Sequence, residues 1–409
     1  MQEKPSLQIS EIRRFDSGGR LQTYLLISED GRKFLITEKL LNIIKYFNGK
    51  RSLEQIKVAL DKNDSLNLSI TDLEEIIGSL LKPKGLLRET VVDVPNKPEK
   101  GGKSSPFGLQ ILSAKVTYQL ASRLSFLFTE PLFVILSVML LTTNIYFYLS
   151  PLSKNIWNIG TAGTEAALQP LLFCLFFLIS GLFHEIGHAS ACVKEGGRPG
   201  GVGVGLYFLF PSFHIDLNET WRLKRISRVK VDLGGLYFTL MLNSLLIITF
   251  LLRSTEVLAI FLFLNALILL FNLLPFLKTD TYWVITDLLG VSNLHRLVKE
   301  QVFKIPGTHP LKLGRMERIG FYVYLSLYLP FLLLFLGFFL KNLVFLAVDY
   351  PQKISYFIGT LRLSVAPLNL NQMLTALLGL FYLLLIPVFL IFQTACLFKL
   401  SFAMKPLKE

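Results

Sequence analysis

Charge and cysteine are both scarce in this sequence. Of its 409 residues only 17% are charged, whereas 52% are hydrophobic. A soluble domain of this length rarely carries so few charges, so the composition favours a membrane protein. The three cysteines stand far apart in apolar stretches and form no CxxC pair, which argues against a disulfide framework and against a cysteine zinc site.

Features of a cleavable signal peptide are also missing, because the first residues, Met1–Pro5, are polar and charged. The formal net charge is +13. In a membrane protein such a charge places basic loops against an anionic inner leaflet, so we expect no nucleic-acid partner. A winged-helix DNA-binding regulator would need a basic recognition helix, and the candidate helix Thr71–Leu81 carries acidic residues instead.

Residues 1–90 have the pattern of a small soluble α+β domain. Two strand-like segments, Leu21–Ile27 and Lys33–Ile36, flank an Asp-Gly turn signal. Three helical segments follow, and a short returning strand is predicted at Leu86–Arg88. This order predicts a winged-helix-like domain. Residues 91–124 are predicted to form a basic, flexible linker and then an interfacial helix.

Residues 125–409 are dominated by long apolar runs, each long enough to cross a hydrocarbon core of about 30 Å as a helix. Basic residues concentrate in the loops 193–230 and 278–318. Positively charged loops stay inside, so both termini are predicted to be cytoplasmic. The predicted fold class is a polytopic α-helical membrane protein, located in the cell membrane and preceded by the small N-terminal domain. Its six predicted spans are Ser125–Leu149, Ala166–Cys192, Val231–Leu252, Val257–Leu277, Ile319–Leu340 and Leu374–Leu400.

The sequence His-Glu-Ile-Gly-His at residues 184–188 lies near the end of the second predicted span. Residues four apart share one face of a helix, so His184 and His188 can bind one metal ion, and zinc suits imidazole ligands. Glu185 lies beside them and can act as a general base on a water molecule that zinc activates. Ionisable residues in an apolar helix are costly and usually functional, which favours a zinc-dependent hydrolase.

A catalytic zinc site needs a third protein ligand. Asp280 is the leading candidate, because the second and fourth spans both run towards the cytoplasm and bring it to a similar depth as the histidines. Asp287 is the competing candidate. His214 stays open between a surface histidine and a substrate contact, whereas His295 and His309 are expected to be solvated.

A glycine-rich segment, Gly196–Gly205, runs into the apolar segment Leu206–Pro211. It is too short and too rich in glycine for a membrane span. We expect either a re-entrant hairpin beside the site or a plain cytoplasmic turn. As a hairpin it would offer an exposed strand edge on which a substrate could align as an added strand.

Between Leu171 and Leu289 the sequence resembles the site-two protease family of intramembrane metallopeptidases. The resemblance rests on the HExxH motif, the glycine-rich segment, the segment Leu233–Thr239 and Asp280. It implies that the two motif histidines and Asp280 bind zinc and that Glu185 is the catalytic base.

Three residues depart from the pattern of that family. Leu236 stands where proline is usual, Thr239 where asparagine is expected, and Thr281 where glycine follows the aspartate. Whether the nearby Asn243 substitutes for the missing asparagine stays open. The departures leave the metal ligands intact and bear on substrate handling.

Residues 7–90 resemble the PqqD-type domain that recognises leader peptides of ribosomally made, modified peptides. The resemblance rests on the order of strands and helices and on the segment Tyr46–Leu53. A PqqD-like domain joined to a membrane metallopeptidase is similar to proteins of bacteriocin and peptide-pheromone systems. It implies a peptide-precursor substrate whose leader docks by strand addition, with export or modification proteins as further partners.

Two alternatives to peptide maturation stay open. The first is regulated cleavage of a membrane-anchored signalling protein. The second is a non-proteolytic export or immunity scaffold. The complete set of ligands and base counts against a scaffold, whereas Leu236 and Thr239 count mildly for it.

Overall fold

The computed structural model describes most of the chain between residues 5 and 365. The described residues are 5–16, 22–63, 68–87, 109–157, 169–207, 210–276, 278–291, 294–295, 297–298, 314–365, 372–373, 376–377, 380 and 387. The chain divides into two compact units. One combines Met1–Lys103 with Trp221–Arg225, and the other combines Ser104–Thr220 with Ile226–Glu409.

The first unit contains a three-stranded antiparallel sheet in the order β1-β2-β3. Gly31 closes the β2–β3 hairpin with φ +84, a conformation that glycine adopts without strain. The first strand was not predicted, because its apolar residues recur every third position and do not alternate. The strands are β1 (Ile9–Phe15), β2 (Thr23–Ser28) and β3 (Lys33–Thr37).

Three helices pack their apolar faces into one buried cluster with β2 and β3. Leu26 of the sheet and Leu73 of the third helix are both fully buried there. The predicted returning strand is reduced to a single bridge between Leu7 and Leu87. The helices are α1 (Glu38–Ile44), α2 (Leu53–Asn63) and α3 (Ile70–Glu75), which continues as the π-helical turn Ile76–Leu81.

The second unit contains a further antiparallel sheet, in the order β4-β5-β6. The glycine-rich segment forms its β5–β6 hairpin, so it is a pair of strands and not a plain turn. Its third strand, β4, comes from the region predicted as linker and interfacial helix. The strands are β4 (Leu109–Leu112), β5 (Val202–Tyr207) and β6 (Phe210–Ile215).

Helices make up the rest of the second unit. Three described segments, Leu132–Leu149, Leu175–Lys194 and Arg225–Leu252, are long and apolar enough to cross a membrane. The predicted fifth span lies within the helix Arg315–Val348, and most of the predicted sixth span lies outside the described residues. The helices are α4 (Ala114–Leu124), α5 (Leu132–Leu149), α6 (Lys154–Trp157), α7 (Gln169–Lys194), α8 (Arg225–Leu252), α9 (Glu256–Asn272), α10 (Asp280–Leu289), α11 (Arg315–Val348) and α12 (Tyr350–Val365).

Turns displace the bounds of two predicted spans, whereas Arg225–Leu252 and Arg315–Val348 extend beyond the spans predicted within them. The first was predicted to begin at Ser125, but a 3₁₀ turn over Ser125–Phe128 precedes α5. The fourth was predicted to reach Leu277, but α9 ends at Asn272. Pro275 lacks an N–H for a helical ladder and lies in the turn that follows. This turn leads directly to Asp280, the first residue of α10.

Helices α7 and α8 approach each other closely at Gly187 and Gly234. A Cβ on Gly234 would lie 2.6 Å from the carbonyl oxygen of Gly187, so only glycine permits this contact. Gly181, two turns earlier on α7, leaves room for the Phe213 ring of β6. Small residues therefore bring α8 and β6 against the part of α7 that carries the HExxH motif.

Candidate metal centre

Three predicted ligands converge at the meeting point of α7, α8 and α10. The Nε2 atoms of His184 and His188 lie 3.2 Å apart. Asp280 reaches both histidines, with Oδ2 2.9 Å from Nε2 of His184 and Oδ1 3.4 Å from Nε2 of His188. One ligand atom from each residue lies within 4.8 Å of the others. The group is enclosed, since His188 is only 6% exposed.

The partners of the other ring nitrogens assign the tautomers. Nδ1 of His188 faces the carbonyl oxygen of Val231 at 2.8 Å, so this nitrogen carries the hydrogen. Nδ1 of His184 lies 2.8 Å from Oγ1 of Thr239, which donates its own hydrogen to the carbonyl oxygen of Gly235. Nδ1 of His184 is therefore also the donor. In the neutral rings both Nε2 atoms present bare lone pairs to each other.

A metal ion fits this arrangement of donors. Two lone pairs and a buried carboxylate oxygen, Oδ2 of Asp280, face one another without a hydrogen between them, and that oxygen has no hydrogen-bond partner. Such atoms repel unless a cation lies among them. Two ligands bound tetrahedrally at about 2.0–2.1 Å from zinc lie about 3.3–3.4 Å apart, close to the separation of the two Nε2 atoms. Both rings also have the outer hydrogen bonds that metal-binding histidines use.

Gly235 leaves the space that an ion needs. A Cβ at this position would lie 2.6 Å from Cε1 of His184 and still closer to the Nε2 atoms of both histidines. No side chain other than hydrogen fits there. The helix that faces the motif thus provides a cavity next to the converging donor atoms.

The turn between α9 and α10 holds Asp280 in place. The hydroxyl of Thr279 donates to the carbonyl oxygen of Leu274 at 2.8 Å and closes this turn. Asp280 then occupies the first turn of α10, where a negative charge is favourable. Asp287, the competing candidate, instead forms an ion pair with Arg228 at 2.8 Å and lies outside the three-residue group.

Glu185 is buried beside the ligands. It is 7% exposed and lies on α7, directly after His184. It is not a member of the group whose atoms can share an ion. Glu185 is therefore a buried acid that directly follows one ligand in the chain and is not itself one of the three converging donors.

The remaining described residues that the sequence singled out lie outside the three-ligand group. His214 lies on β6 over Gly203, and burial lowers the pKa of its imidazole. His295, expected to be solvated, is instead half-buried, and its Nε2 bonds to the carbonyl oxygen of Phe276 at 3.0 Å. His309 lies outside the described residues. Leu236 is buried on α8, and the hydroxyl oxygen of Thr281 is buried without a hydrogen-bond partner.

Two residues near the centre were not identified from the sequence as parts of it. Thr239 was noted only as a departure from a family pattern, yet its hydroxyl accepts from His184. Asp232 follows Val231 on α8, and its Oδ2 is buried without a hydrogen-bond partner. Gly235 and Thr239 lie one helical turn apart on α8, but nothing in a single sequence connects Thr239 with His184. A buried carboxylate at Asp232 has no signature in a single sequence.

Thr239 is predicted to control metal affinity through the His184 ring. Thr239→Val keeps the branched shape but leaves Nδ1–H of His184 without an acceptor. The dissociation constant for zinc should rise roughly 10–100-fold, measured by competition with a chelator. Thr239→Ser should retain most of the affinity. Thr249→Val is the matched control, since its hydroxyl bonds only to the carbonyl oxygen of Leu245 within α8. Equal affinities in Thr239→Val and Thr249→Val would contradict this role.

The fold and the centre together define a class of protein. It is a multi-helix chain, with three described helices apolar enough to cross a membrane, that builds a three-residue site from an HExxH helix and a later aspartate. Two histidines and one carboxylate as donors, with a buried glutamate next to one of them in the chain, are the residue types that hydrolytic metal centres use.

Comparison with known proteins agrees with this class. The chain is similar to a protein of Bacillus subtilis (strain 168) named "Putative peptide zinc metalloprotease protein YydH", with 31% identity over 128 residues. The match covers 31% of this chain and 51% of the relative, so the chain spans about half the length of the curated relative it matches. No family model matches the chain. No solved structure matches it either.

Proposed function

We propose that this protein is an intramembrane zinc metallopeptidase that hydrolyses a peptide bond in a ribosomally made peptide precursor. The convergence of two imidazole lone pairs and the Asp280 carboxylate, next to the buried Glu185, carries the proposal. The name of the Bacillus subtilis relative, a putative peptide zinc metalloprotease, supports the same chemistry.

Each residue of the centre has its own role in the proposed reaction. His184, His188 and Asp280 would hold zinc, which supplies a Lewis acid and lowers the pKa of water towards neutrality. Glu185 would accept the proton of the attacking water and deliver it to the leaving amine. Thr239 and the carbonyl oxygen of Val231 would keep both imidazoles in the tautomer that leaves Nε2 free.

The substrate would lie against the β4-β5-β6 sheet. Strand β6 is an edge of this sheet and packs against α7, where Phe213 meets Phe177 with ring centroids 5.4 Å apart. An extended peptide added to an edge strand would gain backbone hydrogen bonds without regard to most of its side chains. The added strand would present an extended backbone for hydrolysis.

The N-terminal domain, residues 1–90, would recognise the leader of the precursor. Among its described strands, β3 pairs with β2 on one side and with no strand on the other, so an extended leader can add there. In this proposal residues 91–124 link it to the metallopeptidase domain, residues 125–409. Six spans would place both termini in the cytoplasm, where the precursor is made and where export or modification proteins would meet it.

Zinc content and precursor cleavage test the proposal together. The intact chain, purified in detergent, should carry zinc and cleave a precursor peptide encoded beside its gene. A chelator should remove both the metal and the cleavage, and added zinc should restore them. A folded chain that binds no zinc would overturn the proposal. A zinc-loaded chain that binds the precursor but never cleaves it would favour an export or immunity scaffold.

A further inference from the structure

A chain of buried polar side chains runs between the apolar helices and ends at the metal centre. Asn144 of α5 bonds to Ser244 and Asn243 of α8. Asn243 in turn bonds to Asn265 of α9 at 3.1 Å. The asparagines are 0–3% exposed. Buried amides among apolar helices destabilise the fold unless their hydrogen bonds are satisfied, and polar residues in such positions usually have a function.

Asn265 is where the network reaches the centre. Its Nδ2 donates to the carbonyl oxygen of Thr239 at 3.2 Å, as well as to Oδ1 of Asn243. Its Oδ1 accepts the hydroxyl hydrogen of Ser180 on α7 at 3.1 Å. Both amide hydrogens and the oxygen are therefore used, and these partners fix the orientation of the amide.

The two outer contacts of Asn265 act on the two helices that hold the first histidine. Ser180 lies one turn before His184 on α7, and Thr239 is the residue of α8 whose hydroxyl accepts from His184. A single side chain of α9 thus ties the backbone carrying His184 to the residue that orients its ring.

We propose that Asn265 is a positioning residue for the metal centre, which sets the alignment of Thr239 with His184 by bridging α7 and α8. The inference rests on the proposed zinc site. It goes beyond that site because Asn265 does not belong to the ligand group and bonds to neither histidine ring.

The variant Asn265→Leu tests whether Asn265 bridges α7 and α8, and Asn144→Leu, in another part of the same network, is its control. Asn265→Leu keeps a similar volume and removes all three hydrogen bonds. Its zinc dissociation constant should rise roughly 10–100-fold, and the visible absorption bands of the cobalt-substituted protein should shift as the ligand geometry changes. Asn144→Leu removes a similarly buried amide whose shorter bonds to α8 run to Asn243 and Ser244, one turn beyond Thr239, with a longer bond of 3.5 Å to the carbonyl oxygen of Leu240. It should lower thermal stability while zinc affinity and the cobalt spectrum stay as in the unaltered chain.

If Asn265→Leu does not fold, two smaller substitutions on α7 test the same positioning role. Ser180→Ala removes one end of the bridge and should weaken zinc binding in the same direction by a smaller factor. Ser190→Ala is its control on the same helix, because Ser190 is also buried but bonds only to the carbonyl oxygen of Ile186. Ser190 is nearer to His188 in the chain, so a general effect of proximity would appear in the control.

The outcomes separate this inference from the proposed function. If the unaltered chain binds zinc and Asn265→Leu has unchanged affinity and cobalt bands, the positioning role is wrong and the zinc site stands. Equal zinc affinities in Ser180→Ala and Ser190→Ala would have the same meaning. If the folded, unaltered chain binds no zinc, the proposed function falls and this inference falls with it.

Discussion

Replacing Glu185 by glutamine is expected to abolish precursor cleavage while leaving zinc bound. Glutamine has nearly the same shape as glutamate, but it cannot accept a proton from the attacking water. General-base catalysis contributes about 10²–10⁴-fold to a rate, so cleavage should fall by at least that factor. Zinc should remain because Glu185 lies outside the group of converging donors. Metal analysis and a cleavage assay on the same purified sample measure the two quantities.

Glu195 offers a control for the loss of a carboxylate on this part of the chain. It directly follows α7, and its Oε1 lies 3.4 Å from Nζ of Lys230. Glu195→Gln should leave zinc content and cleavage unchanged. If Glu185→Gln loses zinc as well as cleavage, Glu185 is a ligand and the assigned base is wrong. Cleavage at an undiminished rate would remove Glu185 from the reaction.

Much of the candidate site could be predicted from the sequence, but little of the structure around the three ligands could be. The spacing of His184 and His188 is a local property of one helix, so the pattern alone indicates a shared ion. Asp280 could be predicted as the third ligand because the charge of the loops indicates the direction in which each apolar helix crosses the membrane. The hydrogen bond from His184 to Thr239 joins residues 55 positions apart, and no local pattern marks such a pair.

The fold shows the same division between local and distant signals. Apolar length predicted α7 and α8 to within a few residues at most ends, because this property belongs to each segment alone. Strand β4 was missed because it is defined by pairing with β5, about ninety residues later in the chain. The turn that ends α9 before Pro275 was also missed, although proline marks such ends, because the apolar run continues through it. That turn is what places Asp280 at the start of a helix.

Gly235→Ala is expected to eliminate zinc binding without a change at any ligand. The added methyl group would lie 2.6 Å from Cε1 of His184 and closer still to both Nε2 atoms, in the space where an ion bound by these atoms must lie. Neither ring can retreat easily, since each Nδ1 is held by a hydrogen bond of 2.8 Å. We therefore expect zinc content near zero and no precursor cleavage, as in a chain stripped of metal.

Gly337→Ala separates this steric effect from a general effect of alanine in an apolar helix. Gly337 lies within α11, and a Cβ there would meet nothing within 4 Å. Alanine is favoured over glycine in a helix interior by about 1 kcal/mol, so this variant should be at least as stable as the unaltered chain and should bind zinc normally. Helix content from circular dichroism would show that both variants are folded. A folded Gly235→Ala protein that carries zinc and cleaves the precursor would place the ion elsewhere, because the cavity beside the two Nε2 atoms would then be filled by the methyl group.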